Sequence, residues 1–218
     1  MIHCGKVRGG LTNLFSGLLI MGIVMNAACV WAGEDKVPVI LAFGDSLTAG
    51  FGVAPSESYP ARLQRLLDEK GYHYKVVNAG VSGETTAGGA ARIDWVLQHE
   101  PEIVILELGA NDGLRGLPIF EMQRNLETII EACQKRGAKV LLAGMEITPN
   151  LGQEYSDDFR DVFPLLAKKY KISFLPFFLK DIAARPELTQ ADGIHPVSKG
   201  YEIATQTVFQ YLEPMLKK

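Results

Sequence analysis

The stretch Val39-Ile-Leu-Ala-Phe-Gly-Asp-Ser-Leu-Thr-Ala-Gly50 decides how the rest of the chain is read. Val39 to Ala42 are apolar without a break, as a buried strand should be. They run directly into Gly44, Asp45 and Ser46. An apolar strand ending in a tight turn with a hydroxyl at its tip is how a chain presents a serine at a sheet edge. A serine in that place also serves as a turn former or helix N-cap. Its chemistry therefore depends on what other segments bring to the same edge.

Outward from this stretch, strands and helices alternate. Strands are expected at Pro38 to Phe43, Tyr74 to Asn78, Ile103 to Leu108, Lys139 to Ala143 and Ile172 to Leu175. Helices are expected at Tyr59 to Glu69, Thr86 to Gln98, Ile119 to Lys135, Tyr155 to Tyr170 and Val197 to Leu212. Gly137 closes the third helix, and Pro164 should bend or interrupt the fourth. Five strands alternating with helices argue a three-layer α/β/α fold, a parallel sheet covered on both faces. Ligands bind such sheets outside the carboxyl ends of the strands, where strand order reverses.

Residues 1–32 differ in kind from the rest of the chain. Lys6 and Arg8 precede an apolar run from Leu14 to Val30, and Val30-Trp31-Ala32 fits a small-x-small cleavage site. That layout is a secretory signal peptide, which predicts export to the periplasm or medium and one domain over 33–218. An uncleaved anchor is the competing reading, weakened by Ser16, Gly17, Gly22 and Asn26 within the run. Cys29 raises lipidation, although Asn26 stands where an aliphatic residue would be expected. Once the leader is removed, no stable membrane insertion is expected.

The whole chain carries −3, and Lys6 and Arg8 are the only charged side chains in the leader, so the body is more acidic still. With no basic cluster there is no electrostatic case for nucleic acid. Cys133 is the one cysteine outside the leader, so no internal disulfide can form and stability must come from the core. His73, His99 and His195 are not at ligand spacing from one another, and no metal or cofactor is implied. Oligomeric state is left open.

Three polar segments follow three successive strands: Gly44-Asp45-Ser46, Asn78 to Gly83, and Gly109-Ala110-Asn111-Asp112. If the first strand lies between the second and third, Ser46 is flanked by Gly80 and Asn111. The Gly80 N–H and the Asn111 amide suit a developing oxyanion. A fourth segment, Asp192-Gly193-Ile194-His195-Pro196, lies between the last strand and the last helix. A serine hydroxyl needs an imidazole to take its proton, and the imidazole needs a carboxylate on its other nitrogen. Asp192 and His195 can supply both within one turn of chain. Asp45 and Asp112 are expected to hold loops by accepting backbone N–H bonds. Trp95 should pack within its helix, and Phe174, Phe177 and Phe178 should be core.

Two other motifs fail on detail. Thr48 stands where a G-x-S-x-G elbow has its last glycine, and the run from Gly80 to Gly89 lacks both G-x-G-x-x-G and the G-K-[ST] of a P-loop.

Together the four segments resemble the GDSL, or SGNH, hydrolase family. Gly-Asp-Ser-Leu at 44–47, the Gly80 block, Gly-x-Asn-Asp at 109–112 and Asp-x-x-His at 192–195 occur in order. Within the family the chain is most similar to the bacterial arylesterase and multifunctional thioesterase/lysophospholipase group. Glu107 to Gly116, Leu175-Pro176-Phe177-Phe178 and Asp192 to Pro196 carry that likeness. The resemblance implies a flavodoxin-like five-stranded parallel sheet. It makes Ser46 the nucleophile, His195 the general base and Asp192 its orienting acid. Ser46 N–H, Gly80 N–H and the Asn111 side chain would form the oxyanion hole.

Expected substrates are small acyl esters or thioesters: aryl esters, acyl-CoA thioesters or lysophospholipids. Leu114, Leu117, Ile119, Ile147 and Leu151, in the loops after the third and fourth strands and at the start of the helix after the first of these, are expected to bind the acyl or aryl group. A carbohydrate acetylesterase of the same fold and a non-catalytic binding module on this scaffold stand as alternatives.

Overall fold

The computed structural model describes residues 36–218, and the expected signal peptide lies outside the described residues. Five strands form one parallel sheet: β1 Val39–Gly44, β2 Lys75–Gly80, β3 Ile103–Glu107, β4 Lys139–Ala143 and β5 Ser173–Leu175. Their spatial order is β2-β1-β3-β4-β5. Every pairing is parallel, and Gly44 is level with Gly80 on one side and with Glu107 on the other. The direction of winding thus reverses at β1, and the reversal opens a crevice at the carboxyl end of that strand.

Seven α-helices complete the described chain: α1 Ser46–Ala49, α2 Tyr59–Glu69, α3 Thr86–Val96, α4 Ala110–Leu114, α5 Ile119–Lys135, α6 Gln153–Tyr170 and α7 Ser198–Leu212. α2 packs on α7, while α3 packs on α5 and α5 on α6. With right-handed crossovers that change direction at β1, the two groups cover opposite faces of the sheet. β1 and β3 are covered on both faces, so each of their residues is buried. No helix among the described residues is long and apolar enough to cross a membrane.

The element limits match the sequence pattern closely, with differences that have physical reasons. α2, α5 and β4 have the expected limits. β1 and β2 each run further, to Gly44 and Gly80, because paired glycines let the two backbones stay in register to the edge. The end of α3 tightens into a 3₁₀ turn over Leu97–His99. α6 is neither ended nor interrupted at Pro164. Pro164 is exposed, while Phe159, Val162, Phe163 and Leu166 are buried on the opposite side. Their burial, about 1.5–3 kcal/mol for each large side chain, outweighs the roughly 3 kcal/mol that an interior proline costs. Trp95 does not pack inside; it is 66% exposed on the outer side of α3, away from Ile93 and Val96.

Candidate active site

The strand β1 ends at Gly44, and the chain turns at once into the four residues of α1. Asp45 caps this turn by accepting the Leu47 N–H at 3.0 Å. Gly50, at φ 85°, closes it in the left-handed region that a side chain disfavours. Ser46 is therefore the first residue of a short, tightly held turn lying against β2. The fit leaves no slack: a Cβ on Gly80 would come within 2.2 Å of the Ala49 nitrogen.

The His195 segment reaches Ser46 from the far side of the chain. His195 Nε2 lies 2.8 Å from Ser46 Oγ, and His195 Nδ1 lies 2.7 Å from Asp192 Oδ2. The other Asp192 oxygen accepts the backbone N–H groups of Ile194 and His195, at 2.9 and 3.0 Å. Partial burial of Asp192 works against its charge, but those N–H groups and the imidazole pull its carboxyl down to about 2. Gln190 clamps the loop to the nucleophile turn. Its amide donates to the Phe51 and Pro196 carbonyls at 2.8 and 3.0 Å, and its backbone N–H donates to the His195 carbonyl at 2.7 Å. The Phe51 ring stacks at a tilt on the imidazole, with centroids 4.6 Å apart. Neither Gln190 nor Phe51 carried a sequence signal, since neither belongs to a motif.

Asn111 sits in α4, just past β3, and its amide donates to Asp45 Oδ2 at 3.0 Å. An amide has two hydrogens, so one is left to point elsewhere. The Gly80 N–H is held by the Asn78 side chain at 2.9 Å, so an incoming oxygen has to compete for that donor. Asp112 accepts the Thr86 N–H at 2.9 Å and the Thr86 hydroxyl at 2.6 Å, tying the start of α3 to α4. Arg92 pairs with Glu84 and donates to the Ala79 carbonyl at 2.8 Å, bracing the end of β2.

One buried acid carried no motif of its own. Glu107, the last residue of β3, is 0% exposed, and its Oε2 accepts the Thr48 hydroxyl at 2.7 Å. Burial pushes its carboxyl well above the ordinary carboxylate range. Asp45 is also buried and is pushed up to about 6, against the pull of Leu47 N–H and Asn111. In the sequence it is the one acid in an otherwise apolar strand, and it opens the segment Glu107 to Gly116 that carries the family likeness.

A pocket of about 150 Å³ opens over Ser46, His195 and Asn111. Beside it lies a larger cavity of about 510 Å³, and Ala110, Leu114 and Ile194 border both. Leu114 and Ile147 line the larger cavity. Leu117, Ile119 and Leu151 do not. The Leu117 carbonyl accepts the Tyr155 hydroxyl at 2.7 Å, Ile119 packs on the core, and the space above Gly116 is taken by Leu151. In their place Met145, Phe177, Leu179 and Ala183 complete the apolar wall, with Glu146 and Asp192 as its acids. Phe177 is thus wall as well as core, whereas Phe178 is fully buried. Among the described residues no group of three His, Cys, Asp or Glu side chains could hold a metal ion.

Residues 42–203 match the GDSL-like Lipase/Acylhydrolase family. Esterase TesA of Pseudomonas aeruginosa is 38% identical over 200 residues, covering 91% of this chain and 98% of that protein. The thioesterase 1/protease 1/lysophospholipase L1 of Escherichia coli K12 is 35% identical over 178 residues, covering 81% and 84%. Among solved structures, psychrotrophic esterase EstA from Pseudoalteromonas sp., inhibited by monoethylphosphonate, superposes with a TM-score of 0.78. It is 35% identical and covers 81% of this chain and 97% of its own.

Proposed function

The chain belongs to the GDSL-like lipase/acylhydrolase family and is a carboxylic ester hydrolase, and from that premise we propose that Ser46, His195 and Asp192 are its catalytic triad. The observation that carries this reading is the unbroken line of contacts from Ser46 Oγ through the imidazole to Asp192. His195 Nε2 takes the hydroxyl proton as Ser46 Oγ bonds to the ester carbonyl carbon. The same nitrogen returns that proton to the leaving oxygen or sulfur as the carbon–heteroatom bond breaks. Water, deprotonated by His195, then attacks the acyl-serine; the bond from the acyl carbon to Ser46 Oγ breaks, His195 returns the proton to Oγ, and the acid leaves. Asp192 holds the imidazole in the tautomer with Nδ1 protonated and stabilises the imidazolium. The carbonyl oxygen, negative in each tetrahedral intermediate, is met by the Ser46 and Gly80 N–H groups and the free hydrogen of the Asn111 amide. Each such donor is worth about 3 kcal/mol of barrier.

The acyl or aryl group of the ester or thioester lies in the larger cavity, whose apolar wall suits a chain longer than acetyl. Residues 1–32 act as an export leader, so the working enzyme is the mature domain outside the cytoplasm; N-terminal sequencing of exported protein should begin near residue 33. A panel of p-nitrophenyl acetate, hexanoate and dodecanoate tests the activity. Hydrolysis should start with a burst of about one equivalent per site, with hexanoate preferred to acetate. Selective deacetylation of sugars would favour the carbohydrate esterase reading, and no turnover of any ester would favour a binding module.

A further inference from the structure

Beneath the nucleophile turn lies a polar layer that the triad does not use. Gly44 is level with Glu107 across the sheet, and the Glu107 carboxyl and Thr48 hydroxyl crowd the space above its Cα. A Cβ at Gly44 would meet Thr48 Oγ1 at 2.1 Å and Glu107 Oε2 at 2.6 Å. The glycine of the Gly-Asp-Ser-Leu segment thus makes room for an acid. Glu107 Oε2 is satisfied by Thr48, but Oε1 is buried and has no hydrogen-bond donor among the described residues. The neighbour that acts on this carboxyl is Asp45, through its own carboxyl and its backbone N–H, and Glu107 acts on Asp45 in return. Tyr59, Tyr201 and, on the Asp45 side, His195 are the other titratable groups close by; the imidazole is the one that can carry positive charge, and it acts on Asp45 and not on Glu107.

Two buried carboxyls side by side, with no Lys or Arg paired to either, cannot both be charged. They can share one proton, and a carboxylic acid is then the donor that Asp45 otherwise lacks on that side. The proton belongs on Glu107. Asp45 accepts N–H donors from Leu47 and Asn111 and faces the His195 imidazole, all of which favour its charged form; Glu107 has the Thr48 hydroxyl and the backbone N–H of Asp45, with no imidazole acting on it.

We propose that Glu107 is a positioning residue for acyl transfer: as a neutral acid it donates to Asp45, which in turn fixes the Asn111 amide so that its second hydrogen faces the substrate oxygen. Asp45 is then a single buried anion with donors from three sides, and it cannot swing away from Asn111. This role rests on the reading of Ser46 as nucleophile and Asn111 as oxyanion donor.

The test compares Glu107→Gln and Glu107→Leu with the unaltered protein, counting sites with a fluorophosphonate and measuring kcat, KM and Tm on a p-nitrophenyl ester. Leucine fills the volume without a donor, so kcat per labelled site should fall roughly 10- to 100-fold, within the loss known for one oxyanion donor, with KM little changed. Glutamine can donate to Asp45 and accept from Thr48, and should restore kcat to near the unaltered value. A kcat unchanged in both variants, with only Tm lowered, would overturn the role, as would a loss in Glu107→Gln as large as in Glu107→Leu. If Glu107→Leu does not fold, difference infrared spectra at pH 8 decide: a protonated-carboxyl stretch should be present and should vanish in Glu107→Gln. Its absence from the unaltered protein would refute the shared proton. Failure of the fluorophosphonate to label the unaltered protein would sink the nucleophile reading instead, and the infrared band would still report on Glu107.

Discussion

At the scale of single residues, the charge state of the site is set by two acids with opposite shifts. Asp192, held down to about 2, is ionised throughout the working range. A depressed acid stabilises the fold above its unfolded value, about 3.9, and loses that contribution as pH falls through 2. Loss of activity on mild acidification therefore does not come from Asp192. Asp192→Asn removes the anion and should lower kcat by about 10²- to 10⁴-fold, with KM much less affected; steady-state kinetics check this, and an unchanged kcat would contradict the triad. Asp45, pushed up to about 6, has the opposite sign. The native state binds its proton more tightly, so the contribution of Asp45 to stability is full below about pH 4 and declines toward pH 6. The Tm of Asp45→Asn relative to the unaltered protein should accordingly climb between those values, and a flat difference would refute the shift. That Ser46, Asn111, Asp192 and His195 come together could be expected from the sequence because each lies in a short motif, the first two just past a strand and the last two ahead of the closing helix. Glu107 and Gln190 could not, because their importance arises from neighbours distant in the chain. Leu117, Ile119 and Leu151 do not line the larger cavity, because apolarity in a loop does not say which way a side chain turns.

At the scale of elements, the nucleophile turn depends on glycines that allow close approach. Gly44→Ala drives a methyl group into Thr48 and Glu107 and should cost about 1–3 kcal/mol, or roughly 2–12 °C in Tm; a neutral Tm would show that the layer below Ser46 is loose. The opposite sign is expected in α6. Pro164→Ala restores a backbone donor at an exposed helix position and should raise Tm by several degrees, since interior proline costs about 3 kcal/mol. A fall in Tm would mean that Pro164 carries a packing role. Periodicity fixed the limits of α2 and α5 well, because each presents one apolar stripe. It failed at Pro164 and Trp95 for a shared reason: local propensity and side-chain size do not report which side of a helix faces the core.

At the scale of the whole molecule, the reversal of strand order at β1 brings four separate loops to one edge, and this could be foreseen from the alternation of elements. The size and wall of the larger cavity could not, because Leu179 and Ala183 come from a stretch with no motif and Phe177 was expected in the core. Filling that cavity with Ile147→Trp should abolish hexanoate hydrolysis while sparing acetate; equal loss on both esters would place the acyl chain elsewhere. The most direct measurement of the central claim, that His195 activates Ser46, is peptide mapping by mass spectrometry after fluorophosphonate treatment. The expected result is one adduct per chain, on Ser46, strongly slowed in His195→Ala. An adduct on any other residue, or labelling of Ser46 at the same rate without the imidazole, would contradict it.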